Sequence, residues 1–305
     1  MKKLLIVGAV GAIAIGGYSY ANYYVSKEAR KGIDQQLMQI QTQTGLDIRY
    51  DEISANVLDN ALALADISVN DHLGEQIAQI ERVEMTGYEP NKISEYSRVE
   101  IKDLTFSGAA VQGMDELKGE NINVLSEFTY DEKSGDADIF TKLNAGKLAD
   151  VEFSFAMTNS QALMAVSQQL NEMQQQSQQE QGNLQQQLAL QSQMMSAVTE
   201  LVPKKVSFKL ANNGKLKALL ERLVGEQGMT YEQFQQNAQQ QLSMSPAPVV
   251  LREAALNFIE GTEQFEVSMQ VPENTSVAEI NQQMMTLMGK PEELADYFSL
   301  HAVGK

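Results

Sequence analysis

The sequence predicts an α+β protein in which an N-terminal transmembrane helix precedes a curved antiparallel β-sheet covered by amphipathic helices. Three observations support this fold class. The chain opens with an apolar stretch behind two lysines, residues 46–157 alternate between apolar and polar with the period of β-strands, and residues 160–202 carry a glutamine-rich pattern with helical spacing. We therefore expect a membrane segment, then a sheet, then a helical region.

The composition excludes several classes of function. A chain of 305 residues can bury a core without disulfides, whether it forms one large domain or two modest ones. The formal net charge of -17 excludes nucleic acid as a partner, because that affinity rests on Lys and Arg side chains that neutralise phosphates. The absence of cysteine excludes a thiolate nucleophile, a cysteine-ligated metal and a lipid-modified cysteine.

The first two dozen residues predict a membrane segment. Residues 4–24 contain no charged side chain and are numerous enough for a helix to cross a hydrocarbon core about 30 Å thick. Lys2 and Lys3 then place the N-terminus in the cytoplasm and the body in the periplasm, with residues 4–24 in the inner membrane. A signal peptide cleaved near Ala21 is the alternative, and the body is exported in both cases.

Behind this segment the pattern divides the chain into successive regions. Residues 26–44 have apolar positions at helical spacing and end at Gly45, which predicts a connecting amphipathic helix. The predicted regions are the anchor or signal segment (1–25), the connecting helix (26–45), an antiparallel β-rich region (46–158), a glutamine-rich helical region (159–243), and a strand pair with C-terminal helices of the same body (244–305).

The clearest hairpin of the β-rich region joins residues 122–130 to residues 137–143 across a loop of turn-forming residues. The next strand alternates between a polar face and an apolar face, and we expect the apolar face to be buried. That face carries Val151, Phe153, Phe155 and Met157.

One pattern occurs twice, at residues 62–69 and 99–106. In each copy two alternating apolar residues precede an Asp, and an apolar pair of the opposite phase follows it. A regular pleat would place the two pairs on opposite faces, so we expect a β-bulge at Asp66 and at Asp103 that restores the face and bends the strand. This shared context favours a backbone role for the two Asp residues over a pair of catalytic carboxylates.

The glutamine-rich region predicts helix on both sides of a polar gap around Gly182 and Asn183. The pattern fits either two helices that meet at the gap or one long helix whose centre stands in solvent. The apolar positions after the gap are Leu184, Leu188, Met195, Val198 and Val202. After Pro203 we expect a strand (205–210), two helices (215–224 and 230–242), a strand pair (249–258 and 264–271) and two final helices (276–288 and 292–300).

The residues that could carry catalysis or bind a metal form no recognised motif. His72 is expected in a turn and His301 near a frayed terminus, and neither lies in a metal-ligand spacing. Asp131, Asp136 and Asp138 surround one hairpin loop without the spacing of an EF-hand, which favours a solvated turn over a calcium site. The sequence therefore predicts a protein that is not an enzyme and needs no cofactor.

Methionine and phenylalanine residues predict a different kind of site. Flexible Met side chains suit surfaces that accommodate varied apolar partners, although core packing is their ordinary use. A curved sheet that faces Met-lined helices would form an apolar groove for acyl chains or hydrophobic peptides. The candidate apolar ligand surface consists of Phe153, Phe155, Met157, Met194 and Met195. Met284, Met285 and Met288 also lie on a predicted amphipathic helix.

A resemblance rests on the N-terminal apolar segment (1–24), the runs 62–69 and 99–106, and the late strand pair (249–271). In these parts the chain resembles the YdgA-like family of bacterial inner-membrane-anchored envelope proteins, a domain of unknown function, and more distantly the AsmA-like proteins. The resemblance implies an inner-membrane anchor, a periplasmic body and no known enzyme activity.

Two hypotheses for function follow. In the first, the protein is a non-enzymatic, membrane-anchored periplasmic module that binds lipid or another hydrophobic ligand in the cell envelope. In the second, it is a structural or interaction component that joins other envelope proteins, or a second copy of itself, through its glutamine-rich helices.

Overall fold

The computed structural model describes residues 33–34, 37–38, 40–42, 44–56, 60–87, 93–108, 110–111, 115–177 and 184–305. The predicted membrane segment (4–24) and the cleavage site near Ala21 lie outside these residues. Among the described helices, none combines the length and the apolar character that a membrane crossing requires. The described residues between 33 and 44 are helical, and Gly45 follows with a φ of 73°, as predicted for the connecting helix.

The described part of the chain is an α+β fold built on one large sheet. The strands are β1 (Asp47–Arg49), β2 (Glu52–Asn56), β3 (Ala61–Asn70), β4 (Gln76–Thr86), β5 (Tyr96–Phe106), β6 (Ile122–Asp131), β7 (Asp136–Ala145), β8 (Ala149–Thr158), β9 (Val202–Asn212), β10 (Gln264–Gln270) and β11 (His301–Gly304). They are ordered β1-β3-β4-β5-β6-β7-β8-β9-β10-β11, and β2 also pairs with β3. The pairs β1/β3, β2/β3, β3/β4, β4/β5 and β10/β11 are antiparallel.

Helices fill most of the second half of the chain. They are α1 (Gln161–Ser177), α2 (Leu184–Glu200), α3 (Leu216–Glu226), α4 (Tyr231–Met244), α5 (Val249–Gly261), α6 (Val277–Thr286) and α7 (Pro291–Tyr297), and a 3₁₀ turn covers Asp115–Leu117. The predicted β-rich region, its hairpin and the helices at 215–224, 230–242 and 276–288 are confirmed.

The chain divides into two compact units. Unit 1 contains Met1–Glu127, Phe140–Glu152 and Leu210–Phe234, and unit 2 contains Phe128–Ile139, Phe153–Lys209 and Gln235–Lys305. Strands β6 to β9 each contribute residues to both units. Each unit is therefore assembled from segments that are far apart in the sequence.

The core of unit 1 lies on strands β3, β4 and β5. Their apolar side chains include most of the large side chains that are fully buried in the described chain: Leu64, Ile67, Val69, Ile80, Val83 and Met85. Burial of a side chain of this size stabilises the fold by about 1.5–3 kcal/mol. The regular strand pairing of this region is thus reinforced by one continuous apolar face.

The repeated Asp pattern lies within this core. Asp66 has a φ of 51° and Asp103 a φ of 50°, which is the left-handed region that Asp tolerates better than most residues. The apolar residues before and after Asp66 are all buried, so the apolar face is restored as predicted; they are Leu62, Leu64, Ile67 and Val69.

The interpretation of these positions as β-bulges is wrong. The register between β3 and β4 is the same before and after Asp66, and the register between β4 and β5 is the same before and after Asp103. The shift in register lies instead between Val69 and Asn70. A bulge requires an extra residue on one strand, whereas here Glu81 of β4 lies opposite both Asp residues, so all three strands change phase together.

A buried carboxylate joins separate segments of unit 1. Glu120, just before β6, accepts hydrogen bonds from the backbone N–H of Lys147 at 2.7 Å and from Nζ of Lys215 at 2.6 Å. Lys147 lies in the turn between β7 and β8, and Lys215 precedes α3. The backbone hydrogen bond from Lys147, followed by the interaction with Lys215, lowers the pKa of Glu120.

We expect Glu120→Gln to destabilise the protein at neutral pH and to matter much less in acid. A carboxylate whose pKa is lowered by folding stabilises the fold above its ordinary pKa of about 4.3, and the contribution is lost as the pH falls through the folded-state value. Urea unfolding of both proteins between pH 7 and about pH 3 measures this difference.

The control for this variant is Glu226→Gln. Glu226 pairs with Arg222 on the surface, and such pairs contribute at most about 1 kcal/mol. A loss of stability in Glu120→Gln that is the same at every pH, or no larger than that of the control, would contradict a role for the carboxylate charge.

Unit 2 contains two helices, α1 and α2, that contact each other. The glutamine-rich region therefore forms two helices, and the alternative prediction of one long helix is wrong. The entry to α1 is held by Ser160, whose buried hydroxyl donates to the carbonyl oxygen of Gly135 at 2.8 Å. Asn159 donates to the carbonyl oxygen of Glu200 at 2.8 Å, which ties the start of α1 to the end of α2.

The predicted strand pair at 249–258 and 264–271 is half wrong. Residues 264–270 form β10, but residues 249–261 form the helix α5. The two Val residues and the nearby turn signals favoured a strand, yet Leu251, Ala254 and Phe258 follow helical spacing and Ala and Leu are strong helix formers. Thr262 ends the helix in the left-handed conformation, with a φ of 56°.

The C-terminal strand β11 was not predicted from the sequence. His301, expected near a frayed terminus, pairs with Ser268 of β10. Helix α5 packs on β10 and β11, and the backbone of Gly304 lies so close to α5 that a Cβ there would stand 1.8 Å from the carbonyl oxygen of Ala254. Four residues of strand are too few for a periodic signal, so only packing against α5 identifies this element.

We expect Gly304→Ala to destabilise the protein by about 3 kcal/mol or more, because its methyl group would overlap the backbone of α5. The matched control is Gly225→Ala in α3, where a Cβ meets nothing within 4 Å and Ala should stabilise the helix by about 0.5–1 kcal/mol. Chemical unfolding of the two variants measures both signs, and equal effects would contradict the close packing of α5 and β11.

Candidate functional site

The titratable residues proposed from the sequence lie in ordinary structural surroundings. His72 is exposed in the turn between β3 and β4, as predicted. Asp131 accepts a hydrogen bond from the backbone N–H of Lys133 at 2.8 Å, which lowers its pKa, and Asp136 pairs with Lys204. The described residues contain no group of three or more His, Asp or Glu side chains placed to hold a metal ion.

The structure does bring three carboxylates together in unit 1. Asp66, Glu81 and Asp103 lie at one level across β3, β4 and β5, and we call them the carboxylate row. Asp103 accepts a hydrogen bond from Nδ2 of Asn121 at 2.7 Å, and its backbone N–H donates to Oδ1 of Asn123 at 2.9 Å. These contacts hold Asp103 in its left-handed conformation.

Glu81 is the member of the row that the sequence analysis missed. A hydrogen bond with Asp103 and the charge of Asp103 raise the pKa of Glu81, and the charge of Asp66 adds to this effect while Lys102 opposes it. The signal for Glu81 was present in β4, where the buried residues also change phase at this position. Glu81 is thus influenced by both neighbouring Asp residues, but nothing else in the described structure marks the row as a site for a ligand.

We expect Asp103→Asn to return the pKa of Glu81 towards its ordinary value, because the substitution removes the charge and Asn keeps the tolerance for positive φ. Asp66→Asn should lower the same pKa less, because only its charge acts on Glu81. An NMR titration of the Glu81 side-chain carboxyl measures both shifts.

The raised pKa of Glu81 makes the free energy of unfolding depend on pH in a defined direction. A carboxyl group whose pKa is raised by folding stabilises the fold at low pH, and that contribution is lost as the pH rises through the folded-state value. Asp103→Asn should therefore weaken this part of the pH dependence. Equal pKa shifts in the two variants would contradict a specific hydrogen bond between Glu81 and Asp103.

The candidate apolar ligand residues differ widely in exposure. Phe153 is 40% exposed and Met195 is 64% exposed, whereas Met157 is 4% exposed and belongs to the core. Phe155 and Met194 are half-buried. The apolar face predicted for β8 is therefore buried at Met157 and open at Phe153, so these five residues do not behave as one enclosed pocket.

Helix α2 and Leu201 directly after it carry two rows of regularly spaced side chains. One row is buried, and the other, which includes Gln191, is exposed. The inner row consists of Leu190, Met194, Ala197 and Leu201, which follow one another at steps of four, three and four residues. Three of these side chains are buried, and that of Met194 is half-buried. The outer row consists of Leu188, Gln191, Met195 and Val198, which follow one another at steps of three, four and three residues. All four side chains are exposed. At 3.6 residues per turn the two rows lie about a third of a turn apart.

The apolar positions predicted from the sequence after the gap include the three apolar members of the outer row. Leu188, Met195 and Val198 are 57%, 64% and 38% exposed. The spacing of Leu190, Ala197 and Leu201 is just as regular, so periodicity could not choose between the rows. The tertiary structure buries one row and leaves the other facing solvent.

Further exposed apolar side chains of unit 2 lie on α6 and on the residues that follow it. Met284, Met285 and Met288 are all exposed, and α6 contacts α2. The capping box formed by Ser276 and Glu279 fixes the start of α6, where the backbone N–H of Val277 donates to the carbonyl oxygen of Leu201. Unit 2 thus presents apolar side chains on two contacting helices.

Among the described residues of unit 1, two of the open depressions include no candidate apolar residue. One, of about 420 Å³, is lined by residues that include Asp34, Leu37 and Arg49, and the other, of about 310 Å³, is lined by residues that include Arg82 and Glu84. Their charged linings do not suit an acyl chain.

The fold and the exposed row define the chain as an α+β protein with a large antiparallel sheet and an unpartnered apolar helix face. A family model described only as an uncharacterised protein matches residues 142–304, and the chain belongs to that family. The matched part includes α1, α2, α6 and every candidate apolar residue. In the comparison with curated proteins, nothing matches this chain.

Proposed function

We propose that this protein is a non-enzymatic interaction component of a bacterial cell envelope, and that it binds a partner through the outer row of α2. In this proposal residues 4–24 form a single inner-membrane span, the N-terminus is cytoplasmic and the body is periplasmic. The apolar sequence of residues 4–24 behind Lys2 and Lys3 supports this placement.

The observation that carries the proposal is the exposure of the outer row. A helix that already packs through its inner row has no structural need for a second row of apolar side chains at regular spacing. Leu188, Met195 and Val198 present that second row to solvent. Exposed apolar side chains that recur on one side of a helix favour an interaction surface, since their contact with water is otherwise unfavourable.

The chemistry of α2 indicates the kind of partner. The helix has a single charged residue, Glu200 at its C-terminal end, and its other polar residues are Gln, Ser and Thr. Binding would therefore rest on apolar contact and amide hydrogen bonds. Attraction to anionic lipid headgroups is disfavoured, because that interaction needs clusters of Lys or Arg.

Lipid binding remains a second proposal, and one observation favours it. Phe153 is exposed on β8, next on its face to the half-buried Phe155. An aromatic side chain on an open sheet face could contact an acyl chain.

Under this proposal, lipid that purifies with the full chain would be lost in Phe153→Ser and retained in Met195→Ser, as native mass spectrometry can measure.

The test of the interaction proposal uses the absence of cysteine in the chain. Met195→Cys and Gln193→Cys each create a single exposed thiol, on the outer row and on the opposite side of α2 respectively. In cells with a permeabilised outer membrane, we expect a membrane-impermeant maleimide to label Cys at 193 at least about tenfold faster than Cys at 195, a ratio equivalent to about 1.4 kcal/mol of protection.

The remaining outcomes of this experiment overturn separate parts of the proposal. Equal labelling of the two variants would mean that the outer row is not covered in the envelope. Labelling of neither variant until the inner membrane is also opened would contradict the periplasmic placement of the body.

A further inference from the structure

We propose that Met284, Met285 and Met288, which we call the methionine cluster, form an oxidation site. A peroxide converts their thioethers to sulfoxides while the fold is retained, and methionine sulfoxide reductases reverse the change. This site goes beyond the proposed function, because it needs no partner on α2.

The methionine cluster lies at the end of α6, where water reaches all three side chains. Met284 is 48%, Met285 75% and Met288 80% exposed, and the last two values exceed those of the other exposed methionines in the described part of the chain. The backbone N–H of Met288 donates to the carbonyl oxygen of Met285 at 3.4 Å, which continues the helical turn beyond α6. Met288 thus lies one turn from both other residues, and the three thioethers share one patch of surface.

Methionine supplies all the sulfur of this chain, since the sequence contains 15 Met and no Cys. No thiolate of the chain therefore competes with the thioethers for a two-electron oxidant. Hydrogen peroxide is uncharged, so the formal net charge of -17 does not repel it. Which Met reacts then depends on whether peroxide can reach its sulfur, and the cluster brings three reachable sulfurs together.

The oxidation step consumes one molecule of hydrogen peroxide for each thioether. A lone pair of the sulfur attacks one peroxide oxygen, a sulfur–oxygen bond forms and the oxygen–oxygen bond breaks. The departing hydroxide takes the proton from the new S–OH group, so the products are a sulfoxide and water. The sulfur loses two electrons and the peroxide gains them, and a reductase that supplies two electrons restores the thioether.

The fold does not depend on the apolar character of the cluster. The capping box of Ser276 and Glu279 fixes the start of α6, and the buried side chain of Leu287 anchors its end between exposed neighbours. A sulfoxide in the cluster keeps its hydrogen bonds to water. A sulfoxide at the buried Met85 or Met157 would instead leave a polar oxygen unsatisfied in the core, at a cost of about 1–3 kcal/mol.

Oxidation changes the surface of unit 2 next to α2, because α6 contacts that helix. Three flexible apolar side chains become polar, and the patch of exposed apolar surface on α6 is lost until a reductase restores it. The cluster therefore gives unit 2 a surface that responds reversibly to oxidant.

The first test treats the purified full chain with hydrogen peroxide and follows the sulfoxide at each Met by peptide mass spectrometry. The matched variant Leu287→Met adds a thioether inside the same segment but at a buried position, and a swap of this kind conserves volume. We expect Met285 and Met288 to be oxidised at least about tenfold faster than the sulfur introduced at position 287, which peroxide reaches only when the end of α6 opens.

The second test follows the fold and the reversal. The circular dichroism spectrum and the urea midpoint of the full chain should stay unchanged while the cluster is oxidised. In cells that express the full chain, a pulse of hydrogen peroxide should produce sulfoxide at Met285 and Met288. We expect this sulfoxide to disappear in cells that contain methionine sulfoxide reductases and to persist in cells that lack them.

Three results would overturn the inference. Equal oxidation rates at positions 285, 287 and 288 would mean that the exposure of the cluster does not set its reactivity. A spectrum or a urea midpoint that changes as the cluster reacts would mean that the fold depends on the thioethers. A cluster that stays reduced in peroxide-treated cells without the reductases, or that stays oxidised in cells with them, would mean that it is not a reversible oxidation site in the cell.

Discussion

Side chains alternate along every paired strand, and in unit 1 this alternation is reversed at one level across three strands together. The reversal keeps Leu64 and Ile67 on the same apolar face, although residues three apart in a regular strand would point to opposite faces. It requires left-handed backbone at Asp66 and Asp103, and it places Glu81 between their carboxylates. The core of β3, β4 and β5 thus depends on a local conformation that also concentrates negative charge.

Unit 2 differs, because α2 buries one of its two rows and leaves the other in solvent. Packing buries Leu190, Ala197 and Leu201, and packing through the outer row would have exposed them instead. The row that remains outside is as regular as the row inside. The candidate site is therefore a consequence of how α2 packs, and its position could be assigned only after the buried face was known.

Much of the fold could be predicted from the sequence where the pattern was long. The strands between residues 46 and 158 and the helices α3, α4 and α6 agree with their periodicity and caps, including the capping box at Thr230 and Gln233. The errors fall where the signal was short or ambiguous. Helix α5 has residues that suit both states, and β11 is too short to show a period.

Residue types and their spacing were enough to predict the α+β class, the absence of cysteine chemistry, the acidic charge and the change of apolar phase at Asp66 and Asp103. Each of these is a property of residue type or of spacing along one segment. Three features became visible only in the folded chain: Glu81 completes the carboxylate row, α5 is a helix packed against β11, and the outer row of α2 faces solvent. These depend on contacts between segments that are distant in the chain, and a local pattern carries no information about which surface a neighbouring element will cover.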